Sequence, residues 1–256
     1  LDSLYVHLHE HALVARAAAD VVVDEAGEVD EGHLDALAGF VRLALAAVVL
    51  CDANTKHERT VYVIRHADKI GEKCDLCHAG EIRARQLTGV FSGKSYHDNP
   101  HVFSKPDALF YFHMEHKYDG ASHQRCYETL KYVSEKLALP RQPLHETHTR
   151  EGNRHAAAKI RASPARVVLV AWEHRNIPLL AEALGYSESN PEFKHELEKC
   201  HSKLGGWPTD ADFDFVYTFS YGAGSDRLVG FSCRHEGVTP FIPADAYGNC
   251  NKHDDC

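Results

Sequence analysis

Thr60-Val61-Tyr62-Val63-Ile64-Arg65-His66-Ala67-Asp68-Lys69 is the stretch on which the fold turns. Val61, Tyr62, Val63 and Ile64 are β-branched or aromatic and show no polar alternation. They predict a strand buried on both faces, as the parallel strands of α/β proteins are. Arg65 and His66 follow at once. Open α/β sheets hold their ligands beyond the carboxyl ends of the strands. A cation and an imidazole at that rim suit an anionic substrate, with phosphate first: fixed cations hold its oxygens while an imidazole nitrogen attacks phosphorus. Alone, the pair also fits a buried histidine beside a surface arginine.

The second apolar run, Arg166 to Trp172, predicts another buried strand, and Glu173-His174 stands at its end. Two histidines directly beyond the two most apolar strands could share one rim. Between these strands, Gly71–Gly80 reads as a loop. Glu81–Phe91 reads as a helix, with Ile82, Leu87, Val90 and Phe91 at roughly helical spacing. Pro106-Asp107 opens a strand over Ala108–Met114, and Asp119-Gly120 marks a turn. A long helix over Ser122–Leu139 is stopped by Pro140. Asn153–Ala162 reads as a short helix, and Ile177–Leu184 as a helix closed by Gly185. Residues 186–209 read as loop, with Pro191, Gly205-Gly206 and Pro208. Phe213–Tyr221 and Arg227–Cys233 are late strands joined by Gly222-Ala223-Gly224, a hairpin signal. Strands alternating with helices and then a hairpin predict an α/β fold, a three-layer α/β/α sandwich with a mostly parallel central sheet.

The chain's 256 residues allow one sizeable domain with an extension, or two small domains. A net charge of −9 argues against a general nucleic-acid or anionic-membrane binder, so a phosphate site must be a local cluster of cations. Twenty histidines are many for this length, but their scatter says little about metal. No stretch suits an ordinary transmembrane helix. The expected organisation is an N-terminal helical or signal-like segment over 1–55, a catalytic domain over 56–240 and a Cys-containing tail over 241–256.

Two apolar, helix-like runs, Leu4–Val23 and His33–Leu50, precede the domain. The stretch from Arg42 through the apolar run to Ala53 looks like a secretory signal with a cleavage point, placed unusually deep; an amphipathic helix is the other reading. That depth implies a wrongly assigned start or an unusual fusion, and a first residue Leu1 in place of Met leads to the separate expectation that the true N-terminus is missing. The expected location is the secretory pathway, with the cytoplasm as the alternative. Eight cysteines are compatible with disulfides whose pairing spacing cannot give. Cys74-Asp75-Leu76-Cys77-His78 matches the haem-attachment pattern, but the surrounding pattern is not that of a small helical cytochrome. Cys74 and Cys77 with the stretch Cys250-Asn251-Lys252-His253-Asp254-Asp255-Cys256 could form a zinc site. Disulfides are the preferred reading for a secreted chain.

Arg125 opens the long helix region within Ser122-His123-Gln124-Arg125-Cys126-Tyr127-Glu128-Thr129. Near a helix start its charge would join free backbone N–H groups and suit an anion, although a solvated helix arginine is the plainer reading. Together the pieces resemble the histidine phosphatase superfamily, the phosphoglycerate mutase-like fold. An apolar strand is followed by Arg65-His66-Ala67-Asp68. Gly80, Arg83-Ala84 and Leu87 resemble the family's Gly-x-x-Arg-Ala-x-x-Leu. Ser122, Arg125 and Thr129 resemble its Ser-x-x-x-Arg-x-x-x-Thr with one residue fewer before the arginine. Glu173-His174 closes the series. The resemblance covers about residues 60–235. Trp172-Glu173-His174, the helix after it and the strand beginning Phe213-Asp214 look most like small fungal or other eukaryotic microbial members.

The resemblance implies a phosphohydrolase without metal or cofactor. His66 is the nucleophile, with one ring nitrogen fixed by a backbone carbonyl. Arg65, Arg125 and His174 hold the phosphoryl oxygens. Glu146 and Glu151 are candidates for the acid that protonates the leaving oxygen, Glu151 being favoured. Glu173, if still on its strand, would point to the opposite face from His174. The substrate is a small phosphorylated molecule or a phosphoprotein, and hydrolysis is preferred to mutase action. The alternatives are a silent phosphate-binding or interaction protein of the same fold, or a metal or haem module on the Cys-rich segments. Oligomeric state is not legible.

Overall fold

A computed structural model of the chain describes residues 58–70, 75–113, 125–145, 148–200, 207 and 212–250. The N-terminal runs and the signal-like stretch, Cys74, Met114, the Asp119-Gly120 turn, Ser122, Glu146 and Cys256 lie outside the described residues.

The founding strand is β1 (Arg59–Arg65), buried from Val61 onward. Its neighbours are β2 (Ala108–Phe112), β3 (Arg141–Leu144), β4 (Val167–Trp172), β5 (Phe215–Tyr221) and β6 (Leu228–His235), in the expected order apart from the added β3. They form one six-stranded sheet in the order β3-β2-β4-β1-β5-β6. The first four strands in that order run parallel, and β5 and β6 are antiparallel additions. β1 and β4 read alike because both lie inside the sheet, where each face needs apolar cover. Tyr62 pairs with Leu169 and Arg65 with Trp172, so both strands end level.

The helices are α1 (His78–Val90), α2 (Arg125–Thr129), α3 (Lys131–Leu137), α4 (Arg150–Ala162), α5 (Ile177–Ala183) and α6 (Pro191–Cys200). Right-handed crossovers place them. The chain steps from β1 to β2 to β3 in one direction, which puts α1, α2 and α3 on one face. It then returns through β4 towards β5, which puts α4 and α5 on the other. The packing agrees: α1 touches α2 and α3, and α4 touches α5. The result is the expected three-layer arrangement around a mostly parallel sheet.

Four local expectations are corrected. The expected long helix is, in its described part, two short ones broken at Leu130, and α3 ends with Ala138 in the left-handed region at φ 52°. The stretch 186–209 contains a helix, α6. Asn190 caps it by accepting from Glu192 N–H and Phe193 N–H, Pro191 fits its first turn, and Phe193 and Leu197 bury one face. α1 starts at His78, three residues before the expected Glu81. β3 was not foreseen: its sequence Arg-Gln-Pro-Leu is short and polar, and a proline is tolerated there because the strand lies at the sheet edge.

Gly80, in the first turn of α1, packs directly on the loop after His66. A β-carbon there would lie 1.9 Å from the Asp68 carbonyl oxygen, in the loop just after His66. Glycine to alanine inside a helix ordinarily stabilises by about 1 kcal/mol. Here the backbone contact reverses the sign, and Gly80→Ala is expected to destabilise by about 2 kcal/mol or more. Urea unfolding checks this; an unchanged or raised midpoint would show that the two segments part without cost.

Gly185 (φ +106°) ends α5 as expected, and Tyr186 N–H returns to Ala181 O at 2.9 Å. Two disulfides are formed among the described residues, Cys77–Cys250 and Cys200–Cys233. The first removes Cys77 from both the haem and the zinc readings. The second ties α6 to β6. No described helix is long and apolar enough to cross a membrane.

Candidate active site

His66 extends β1 by one ladder bond, its N–H donating to Trp172 O at 3.0 Å. The side chain is fully buried. Its Nδ1 lies 2.8 Å from Ala67 O. A carbonyl oxygen only accepts, so Nδ1 carries the proton and Nε2 keeps its lone pair. Nε2 is buried and meets no hydrogen-bond partner among the described residues. The ring's pKa falls well below the usual imidazole range. Burial is the first cause, then the charges of Arg125 and Arg65; the bond to Ala67 opposes them and His174 adds to them. The imidazole is therefore neutral and nucleophilic at neutral pH.

Two guanidinium cations and a second imidazole face this ring. Arg65, the last residue of β1, is buried, with its guanidinium 3.7 Å above the Phe213 ring and Nη1 donating to Asp212 O at 3.1 Å. Phe213 also stands 6.0 Å from the His66 ring, so one aromatic side chain backs both groups. Arg125, the first residue of α2, is buried, and no carboxylate meets it among the described residues. Since α2 has only five residues, the guanidinium itself, and not a helix terminus, carries the charge. α2 is pinned to the histidine loop by Thr129, whose Oγ1 accepts from Ala67 N–H at 2.8 Å and donates to Arg125 O at 2.6 Å.

His174 completes the group, its ring 6.2 Å from that of His66. β4 ends at Trp172, and the chain turns into a 3₁₀ turn over His174–Asn176. Strand alternation therefore does not apply to Glu173 and His174, and the expected opposite facing is corrected. Glu173 Oε1 lies 2.7 Å from His174 Nδ1. Its Oε2 accepts from Asn176 N–H at 3.1 Å and Asn176 Nδ2 at 2.8 Å. Burial pushes the Glu173 carboxyl up, but the His174 and Asn176 contacts outweigh it and hold it down at about 2. Glu173 is thus a fixed negative charge that orients His174. Asn153 on α4 accepts from Trp172 Nε1 at 3.2 Å and reaches Asn176 Oδ1 at 3.4 Å, bracing the same turn.

The loop after His66 is anchored from the other side. Arg83 on α1 is buried and holds Asp68 at 2.9 Å, Asp214 at 3.2 Å and Glu236 at 3.2 Å. It also donates to Thr239 Oγ1 at 3.1 Å. One guanidinium cannot neutralise three carboxylates, two of them buried and the third, Asp214, half-buried. Glu236, fully buried, is pushed up to about 8 by burial despite Arg83, whereas the contacts of Asp214 with His235, Arg83 and backbone amides outweigh its burial and lower it.

The structure brings Arg65, His66, Arg125 and His174 together. It does not do so for Glu151, which stands exposed in the first turn of α4, with no contact to the group among the described residues. The sequence reading missed Glu173 as the partner of His174, Phe213 as the support of Arg65, and the Asp68–Arg83–Asp214–Glu236 network. Only the Arg83 motif hinted at the last.

No family model matches the chain, and no curated protein does. Solved structures do match. A candidate phosphohistidine phosphatase SixA from Nakamurella multipartitia is 17% identical over 70% of this chain and 97% of its own, with a TM-score of 0.40. A candidate SixA from Agrobacterium tumefaciens is 16% identical over 68% and 96%, with a TM-score of 0.41. A candidate alpha-ribazole-5'-P phosphatase from Escherichia coli is 12% identical over 69% and 95%, with a TM-score of 0.40. A likeness of this degree carries no argument about chemistry, which rests on the geometry above.

Proposed function

We propose that the chain is a phosphomonoester hydrolase of the histidine phosphatase type, acting through a phosphohistidine on His66 without a metal. One observation carries the reading: a neutral, buried imidazole among Arg65, Arg125 and His174, with Nδ1 committed to Ala67 O and Nε2 meeting no partner among the described residues. The Nε2 lone pair forms the N–P bond as the P–O bond to the leaving group breaks. The cations hold the charge that collects on the phosphoryl oxygens. Water then attacks phosphorus, the P–N bond breaks, and phosphate leaves with Nε2 restored. The leaving oxygen takes a proton, for which we propose Glu151. The substrate is a phosphorylated small molecule or protein. The disulfides support an oxidising compartment, with the secretory pathway ahead of the cytoplasm.

The test is hydrolysis of p-nitrophenyl phosphate with and without chelator, with an acid quench to look for acid-labile phosphate on the peptide carrying His66. Turnover that survives chelator, with label on that peptide, supports the reading. Turnover with label elsewhere, or with none, refutes it. Glu151→Gln is expected to slow alkyl phosphates far more than aryl phosphates, which need less help in leaving. A silent phosphate-binding protein is the second reading, favoured because Glu151 makes no contact with the site among the described residues. Absence of turnover against every phosphomonoester tried would select it.

A further inference from the structure

Beyond the four-residue group lies a row of histidines that the reaction does not use. Each of the four parallel strands is followed at its carboxyl end by one: His66 after β1, His174 after β4, His113 after β2 and His145 after β3. The tips are level. Arg65 pairs with Trp172, Phe112 pairs with Leu144, and His113 N–H continues the ladder by donating to Leu144 O at 2.9 Å. The rings of His113 and His145 lie 4.5 Å apart between centroids. His148, just before α4, packs its ring 5.0 Å from Phe112. His113 is half-buried, and His145 and His148 are exposed. Histidine is abundant here, at twenty residues, yet abundance alone does not set one beyond every parallel strand.

The row and the candidate phosphate group share a support. Tyr111, two residues before His113 on β2, packs at 5.2 Å on Tyr127 of α2, the helix that Arg125 begins. Adjacent strands are spaced by roughly 4.8 Å, so His113 lies about 10 Å and His145 about 15 Å along the rim from His66. An imidazole donates one N–H when neutral and two when protonated, and in the second state adds a positive charge. Several of them at one rim, reached from a phosphoryl site, are suited to a second anionic group on the same substrate.

We propose that His113, His145 and His148 form a second anion subsite, and that the preferred substrate carries another phosphate about two to three strand spacings, roughly 10–15 Å, from the one transferred. This rests on the hydrolase reading for the first phosphate, but binding tests it separately. Full-length His66→Ala protein, which cannot form the phosphohistidine, is titrated calorimetrically with hexanediol bisphosphate and with hexyl phosphate. The first compound was chosen because its length at full stretch matches the spacing. Two equivalent ends alone give about a twofold preference. One or more charge-assisted hydrogen bonds at the subsite are expected to raise it to about tenfold or more. Adding His113→Gln and His145→Gln is expected to return the ratio to about two, with circular dichroism and the unfolding midpoint reporting that the chain is folded.

A ratio of two or less in the His66→Ala protein overturns the subsite, as does a tenfold ratio that survives the glutamine substitutions. A high ratio that they abolish, in a chain whose unsubstituted form shows no turnover, supports the subsite and removes the hydrolase reading. Failure to bind hexyl phosphate at all removes both.

Discussion

Replacing His66 by alanine is expected to lower kcat against an aryl phosphate by at least about a thousandfold, the scale on which loss of a catalytic nucleophile is felt. The cations remain, so phosphate should still bind; what disappears is the atom that takes the phosphoryl group. His66 is fully buried, and truncation also leaves a cavity. His66→Asn therefore accompanies the alanine change. Its amide can donate towards Ala67 O as Nδ1 does, but it offers no comparable nucleophile. Steady-state kinetics on both proteins, checked for folding, decides the matter. Either variant keeping a tenth of the parent kcat would mean that phosphorus is attacked by something else.

The largest expected loss of stability comes from Arg83→Met. The change leaves Asp68, Asp214 and Glu236 facing one another without their shared cation. Removing one partner from a buried ion pair costs about 3–5 kcal/mol, because the remaining charge stays desolvated. The sign with pH is definite. In the parent, the pKa of Asp214 is lowered, so its contribution is present above the unfolded value near 3.9 and is lost as pH falls through the folded value. Glu236 works in the opposite direction: with a folded value of about 8, it loses stability as pH rises from its unfolded value near 4.3 towards that point. Without Arg83, the ionised forms of these acids lose the cation they share. The gap between parent and variant should be widest at neutral and alkaline pH and should narrow below about pH 4, where the carboxyls are protonated. Urea unfolding at several pH values measures it. A gap that does not change with pH would show that Arg83 acts through packing alone.

Much of the fold was legible because the central strands carry their burial in plain form. Val61–Ile64 and Val168–Ala171 are apolar at every position, and only a strand covered on both faces needs that. The histidines beyond them were legible for the same reason, since a strand's end fixes where the next side chain stands. The edge strand β3 was not legible: with Arg141, Gln142 and Pro143 half-buried or exposed, it has little apolar signal. Helix α6 was hidden because Asn190-Pro191 reads as a loop unless Phe193 and Leu197 are noticed one turn apart. Glu173 was misread because the strand stops one residue before it. The Arg83 network was beyond reach, since Asp68, Asp214 and Glu236 meet only after the whole sheet has assembled. No local spacing records such a meeting.

The bond between Cys77 and Cys250 closes a covalent circle spanning 173 positions. Strands β2 to β6 are threaded on it, but β1, with Arg65 and His66, is not. A protease nick anywhere on the circumference leaves one linked molecule that separates only under reductant. The strand that ends beside His66, held within the sheet by hydrogen bonds and packing alone, depends for its covalent attachment to that circle on the single run of backbone from His66 to Cys77.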